Sequence, residues 1–171
     1  MEDLLPNWPE ESRVWIYAAN RELSAQEESM INSRLADFAA GWQSHGEPVH
    51  AKATVYLNRF LLFVAAPTVA MGGCSIDKSV QLVQQLTQTT GINFFDRMFT
   101  WVLVAGVDAG EKQWKGFDRN ALQEAINNGE VSADTVVFNP LVSTLGELRK
   151  QRFVLIKNAW QRQLFTSPVN S

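Results

Sequence analysis

Eight consecutive residues, GGCSIDKS from Gly72 to Ser79, carry the densest chemistry in the chain. They meet the phosphate-loop template G-x-x-x-x-G-K-[ST] at every fixed position but one, because Asp77 stands where the second glycine belongs. In such a loop consecutive backbone N–H groups curl around a β-phosphate. The lysine reaches the terminal phosphates and the following hydroxyl ligates magnesium. Asp77 puts a side chain and a negative charge where the phosphate should approach. Two unit charges about 4 Å apart repel by about 4 kcal/mol at an effective dielectric near 20, a loss of about three decades in affinity. The segment is therefore not expected to bind or hydrolyse ATP. It reads instead as a tight turn through Gly72 and Gly73 into a helix, with Ser75 as N-cap and Asp77 in the first turn, where the helix dipole favours a carboxylate. Lys78 is slightly unfavourable at that end, so its amine is expected to reach outward to a carboxylate or a ligand.

Cys74 is the only cysteine. It precedes a helix N-terminus and lies close to Lys78, and both features favour a thiolate. With Asp77 and Lys78 as electrostatic partners and His45 or His50 as base, it would make a small nucleophilic or redox-thiol site. A structural cysteine is the commoner fate of such a residue. Other catalytic sets are incomplete. One cysteine and two histidines without close carboxylate spacing give no metal site, and there is no EF-hand and no G-x-S-x-G elbow. No cofactor is implied. A second polar group, Arg21, Arg59, Asp96 and Arg97, is expected at the opposite end of the sheet from Cys74. It would form either an anion-binding end or ion pairs that fix loops. With Ser75 and Lys78, these are the ligand-binding candidates.

The elements that must position these groups follow from periodicity. Residues 1–12 form an extended lead-in, and RVWIYAA (13–19) is a buried strand rich in β-branched and aromatic residues. Ser24 and Glu27 form a capping box. Ile31, Leu35, Phe38 and Trp42 then make one apolar helical stripe, which Gly46 is expected to stop. HAKATVYL and FLLFVAA form a hairpin turning at Asn58-Arg59, the second strand more buried than the first. A second helix runs from the GGCSIDKS segment to Gly91. Its neutral outer face, Gln81, Gln84, Gln85 and Gln88, would suit burial against a second copy, which predicts a homodimer contact there.

Farther on, MFTWVLVAG and KQWKGF read as another hairpin, Asp118 caps a short helix and TVVF is a short strand. Thr144 and Glu147 open a further helix. FVLIKNAWQRQLF reads either as a strand followed by a helix or as helix throughout. Trp15, Trp42 and Trp101 fall on apolar stripes, whereas Trp8, Trp114 and Trp160 are candidates for exposure. The order strand–helix–strand–strand–helix–strand over 13–105 predicts an α+β fold of the split βαβ (ferredoxin-like) type. Its antiparallel sheet would carry helices on one face, and residues 106–171 would elaborate that sheet within a single domain.

Bulk properties narrow the function. A net charge of −3 gives no global field for nucleic acid or an anionic membrane. The basic segment Arg149, Lys150, Arg152, Lys157 and Arg162 is read as a solvated face, so nucleic acid is not an expected partner. An acidic, proline-broken start is unlike a leader peptide, no apolar run spans a bilayer, and one cysteine excludes an intrachain disulfide. A cytoplasmic location is expected.

RVWIYAANREL, NRFLLFVA, GCSIDKSVQLVQQL, GINFFDRM, DTVVFNPLV and the Trp160 region together resemble a family of short, uncharacterised bacterial proteins of Bacteroidetes type, often labelled "ABC transporter ATPase". GCSIDKS is the distinctive block. The resemblance implies family membership and no activity, substrate or site residues. The label itself conflicts with the residues. The chain has no complete Walker A glycine pattern, no LSGGQ signature and no Walker B run. The expectation is thus a cytoplasmic ligand- or partner-binding domain, not a genuine ATPase. The alternative is a small enzyme that uses Cys74.

Overall fold

A computed structural model describes residues 4–165. The first three residues of the 1–12 lead-in and the last six of 106–171 lie outside the described residues. The fold is α+β with antiparallel sheets. The chain divides into two compact units, Met1–Asp96 with Pro140–Lys150, and Arg97–Asn139 with Gln151–Ser171.

The first unit opens with strand β1, Arg13–Ala18. Helix α1, Ala25–Gly41, starts at the expected capping box: Ser24 Oγ accepts from the Glu27 amide at 3.1 Å, and the Glu27 carboxylate accepts from the Ser24 amide at 2.9 Å. The helix stops at Gly41 and not at Gly46, because Trp42 is already extended. Residues 43–48 then fold into a minimal hairpin, β2 (Gln43–Ser44) against β3 (Glu47–Pro48). His45 (φ 53) and Gly46 (φ 78) both turn it through the left-handed region. Strands β4, Ala51–Tyr56, and β5, Phe60–Ala65, follow. Their turn passes through Leu57 (φ 52) and Asn58 (φ 62), one residue earlier than expected, as a primed turn requires two successive positive φ angles. Helix α2, Gly73–Thr90, ends at Gly91, whose left-handed conformation lets its amide reach the Thr87 carbonyl.

These strands pair in the order β1-β5-β4, all antiparallel. Six consecutive apolar residues give β5 no polar face, and every one of them is buried. One layer above it comprises Ile31 and Leu35 of α1, Leu82, Val83 and Leu86 of α2, and Leu61 and Phe63. Below it, Leu62 and Val64 pack with Val14, Val142, Leu145 and Leu148. The expectation of helices on one face is therefore corrected, because Leu145 and Leu148 belong to a later helix, α4 (Leu145–Gln151), that covers the other. A two-faced apolar strand requires two covering layers.

In the second unit β6 (Thr100–Ala105), β7 (Lys112–Phe117), β8 (Val136–Phe138) and β9 (Phe153–Leu155) form a separate antiparallel sheet of order β7-β6-β8-β9. The strand expected to complete the first sheet, Thr100–Ala105, is thus central to another, and residues 106–165 build on that second sheet. Helix α3, Arg119–Asn127, is capped by Asp118, whose side chain accepts from the Ala121 amide at 2.8 Å. Its buried Leu122 and Ala125 pack with Val102, Val137 and Ile156. The ambiguous segment resolves into β9 followed by short 3-10 turns, Ile156–Asn158 and Trp160–Leu164. None of the three tryptophans expected at the surface is fully exposed: Trp8 stacks on His50, Trp114 packs on Phe153, and Trp160 lies against the core of the second unit. Among the described residues no helix is long and apolar enough to cross a membrane.

Phe63 is fully buried and touches the rings of Tyr17, Phe38 and Trp42. Phe63→Ala should therefore lower stability by about 3–5 kcal/mol, read as a fall in the urea midpoint at unchanged slope.

Candidate functional site

The GGCSIDKS segment is helical from its second residue. Gly72 is the N-cap of α2, in place of Ser75, and the amides of Ser75 and Ile76 turn back to the Gly72 carbonyl at 3.1 and 3.2 Å. Those N–H groups are committed to the first helical turn and do not line a concave nest. Asp77 is correspondingly past the first turn, and it and Lys78 are exposed. Ser79, at the position of the magnesium-ligating hydroxyl, is fully buried and donates to the Ile76 carbonyl.

The amide of the N-cap residue itself is held from outside the helix. Ser44, fully buried in β2, accepts from the Gly72 amide at 3.0 Å and donates to the Ala70 carbonyl at 2.6 Å. Beside it the Ser75 hydroxyl donates to the Gln43 carbonyl at 2.7 Å, and the Trp42 indole N–H donates to the Ser75 carbonyl at 2.9 Å. The start of α2 is tied to the end of α1 and to β2 by the side chains of Ser44, Ser75 and Trp42. The fit at Gly72 is close, since a Cβ there would stand 3.0 Å from Nε2 of His45.

His45 thus lies over Gly72, two residues before Cys74, and both His45 and Cys74 are exposed. His50 is held elsewhere, its ring stacked on Trp8 at 4.4 Å and 9°. The arrangement brings one imidazole and one thiol to the same surface, with Asp77 and Lys78 one turn along α2. Among the described residues no group of three or more His, Cys, Asp or Glu side chains is placed to hold a metal ion.

At the other end of the unit, Arg21 grips Glu27 through two hydrogen bonds of 2.8 Å and approaches the Thr90 carbonyl at the end of α2. Arg59 pairs with Glu22 at 3.5 Å and donates to the Leu57 carbonyl at 2.6 Å. Both guanidiniums bond to groups of the same unit. Asp96 closes this unit, whereas Arg97 belongs to the other. The Arg21 guanidinium, with the Ser24 amide, holds the Glu27 carboxyl down at about 2, and Glu27 in turn raises Arg21.

The four glutamines of α2 are exposed, and Gln85 accepts from Arg34 at 2.8 Å. In the basic segment the Arg149 guanidinium donates to the carbonyls of Leu4, Leu5 and Trp8. Arg152 is buried beside Phe153, and Lys157 pairs with Asp134 at 2.8 Å. Three of its five bases therefore serve the fold. A feature that periodicity did not flag is an open groove of about 420 Å³ between α1 and β4, lined chiefly by alanines.

No protein family, curated protein or solved structure matches the chain.

Two measurements test this construction. Ser44→Ala strands the Gly72 amide and the Ala70 carbonyl and should cost about 1–3 kcal/mol in urea unfolding. Glu27 binds its proton more weakly folded than unfolded. Its stabilisation is therefore complete above the unfolded-chain value of about 4.3 and fades as pH falls toward about 2. The stability gap between the native chain and Glu27→Gln, no more than about 1 kcal/mol for so exposed a pair, should be present at pH 7 and vanish near pH 2.

Proposed function

We propose that the chain is a non-catalytic binding domain for a partner or small ligand, acting in the cytoplasm, and not a nucleotide hydrolase. The observation that carries this reading is the α2 start, where amides and hydroxyls that would meet a triphosphate are already bonded within the protein. Membership of the Bacteroidetes-type family that GCSIDKS suggests fits the same reading, with the ATPase label arising from the near-match. The order β1-β5-β4, in which β5 separates the two strands joined through α1, supports a split βαβ (ferredoxin-like) reading of the first unit, its fourth strand given to the other sheet.

Calorimetric titration with Mg-ATP and with Mg-GTP should give no saturable heat. Tight, magnesium-dependent uptake that Lys78→Ala abolishes would refute the proposal. The approach of His45 to the segment holding Cys74 favours a second reading, a thiol enzyme with His45 as base. The two differ in iodoacetamide kinetics. For a binding domain, His45→Ala leaves the rate of Cys74 alkylation and its pH profile unchanged, whereas a several-fold fall would favour the enzyme.

A further inference from the structure

The outer edge of β4 carries an inference that deepens, and rests on, the binding-domain reading. Strand β4 is the last in its sheet, and no strand pairs with its outer edge among the described residues. The His50 carbonyl accepts from the Ala66 amide of the segment continuing β5, so His50, Lys52, Thr54 and Tyr56 direct their main-chain groups inward. By alternation those of Ala51, Ala53 and Val55 point outward. The outward row is closed at both ends. The Val49 amide donates to the Trp42 carbonyl at 2.9 Å, and the Val55 amide donates to Oδ1 of Asn32, on α1, at 2.8 Å. Asn32 there takes the place of a neighbouring strand's carbonyl. Between the two closures the outward main-chain groups of Ala51, half-buried, and Ala53, buried, have no strand partner among the described residues.

That stretch of edge opens on the groove of about 420 Å³ between β4 and α1. Ala51 and Ala53 face α1, where Ala36 and Ala40 present methyl groups in place of larger side chains. An extended chain laid along β4 thus finds space for every second side chain on the α1 side. Lys52, exposed on the opposite face of the strand, is the ionised residue of the groove lining.

We infer that this edge binds an extended acidic peptide segment by strand addition, its backbone pairing with Ala51 and Ala53 and a carboxylate lying opposite Lys52. A second copy of the chain fits poorly. The two-fold register that pairs Ala51 with Ala53 sets Lys52 directly against its own copy. Every other antiparallel two-fold register draws on Val49 or Val55, whose amides are engaged. Lysine on an exposed edge discourages self-pairing in this way, and its charge selects an acidic strand.

The probe is a fluorescein-labelled heptapeptide, SVEVEVS, followed by anisotropy against the full chain. Its valines would face α1 and its glutamates Lys52. It should bind saturably, and Ala53→Pro should weaken it by about tenfold or more. That variant removes an outward N–H at an edge position that tolerates proline, but Ala53 is buried against α1, so its urea midpoint is measured beside the binding. Lys52→Glu should reverse the preference from SVEVEVS to SVKVKVS. A readout that leaves the protein untouched uses two N-methylated probes, one modified at the valine amides and one at the glutamate amides. Loss with one set and retention with the other is the signature of strand pairing, and any other pattern overturns the inference. No binding at protein concentrations up to about 1 mM, equal binding to Ala53→Pro, or a self-dimer that Ala53→Pro dissolves would also overturn it. Failure here leaves a binding site elsewhere on the domain intact, whereas capture of Mg-ATP would end the binding-domain reading without bearing on this edge.

Discussion

The first unit depends on a strand that has no solvent side. Phe60–Ala65 presents apolar residues to both faces of its sheet, and each fully buried Leu, Val or Phe contributes about 1.5–3 kcal/mol only if something covers it. One face receives α1 and α2. The other is covered by Val142, Leu145 and Leu148, which arrive some eighty residues later in the chain. The segment at 140–150 is therefore recruited into the first unit by the hydrophobic demand of β5, while the residues on either side of it belong to the second. The interleaved chain path follows from that demand.

What was legible in the sequence was local. The Ser24–Glu27 box, the stripe of Ile31 and Leu35, the Asp118 cap and the existence of the β4–β5 hairpin are written in spacings of three, four and two, and each appears near its expected place. The errors share one physical cause, competition from partners distant in the chain. Ser75 has the right chemistry for an N-cap, but its hydroxyl is taken by the Gln43 carbonyl, and the helix starts at Gly72, whose amide Ser44 holds. Trp42 continues the apolar stripe of α1 in sequence, yet its indole N–H finds the Ser75 carbonyl only if the backbone has already left the helix. Strand β6 has the composition of a sheet-completing strand. Composition does not say which sheet, and the edge of β6 left free by the expected hairpin pairs with the distant β8, Val102 opposite Val137.

The same competition explains why the segment at 72–79 resembles a phosphate loop. Gly72 admits the His45 ring, Ser75 anchors to the hairpin, and Ser79 closes on the Ile76 carbonyl inside the core. A glycine, a lysine and small hydroxyl residues at the mouth of a helix are what a phosphate loop needs. They are also what a helix needs when its first turn is packed tightly against a neighbouring hairpin. The motif therefore reports crowding at a strand-to-helix junction. Asp77 is tolerated there because its carboxylate is exposed to solvent.

The two outer edges of the three-stranded sheet are treated differently. Beside the start of β1 the chain returns: the Val14 amide donates to the Ser143 carbonyl, the Leu145 amide to the Ser12 carbonyl and the Gly146 amide to the Glu10 carbonyl, so that end of the edge is met by main chain. Beside β4 no main chain returns among the described residues, and Asn32 engages the Val55 amide with a side-chain oxygen. Main-chain donors and acceptors lose little while water reaches them, and they gain directional partners when an extended chain displaces that water. That edge is bounded by the engaged amides of Val49 and Val55, flanked by alanines, and carries the exposed Lys52. With β5 central and buried, the sheet ends on this side at β4.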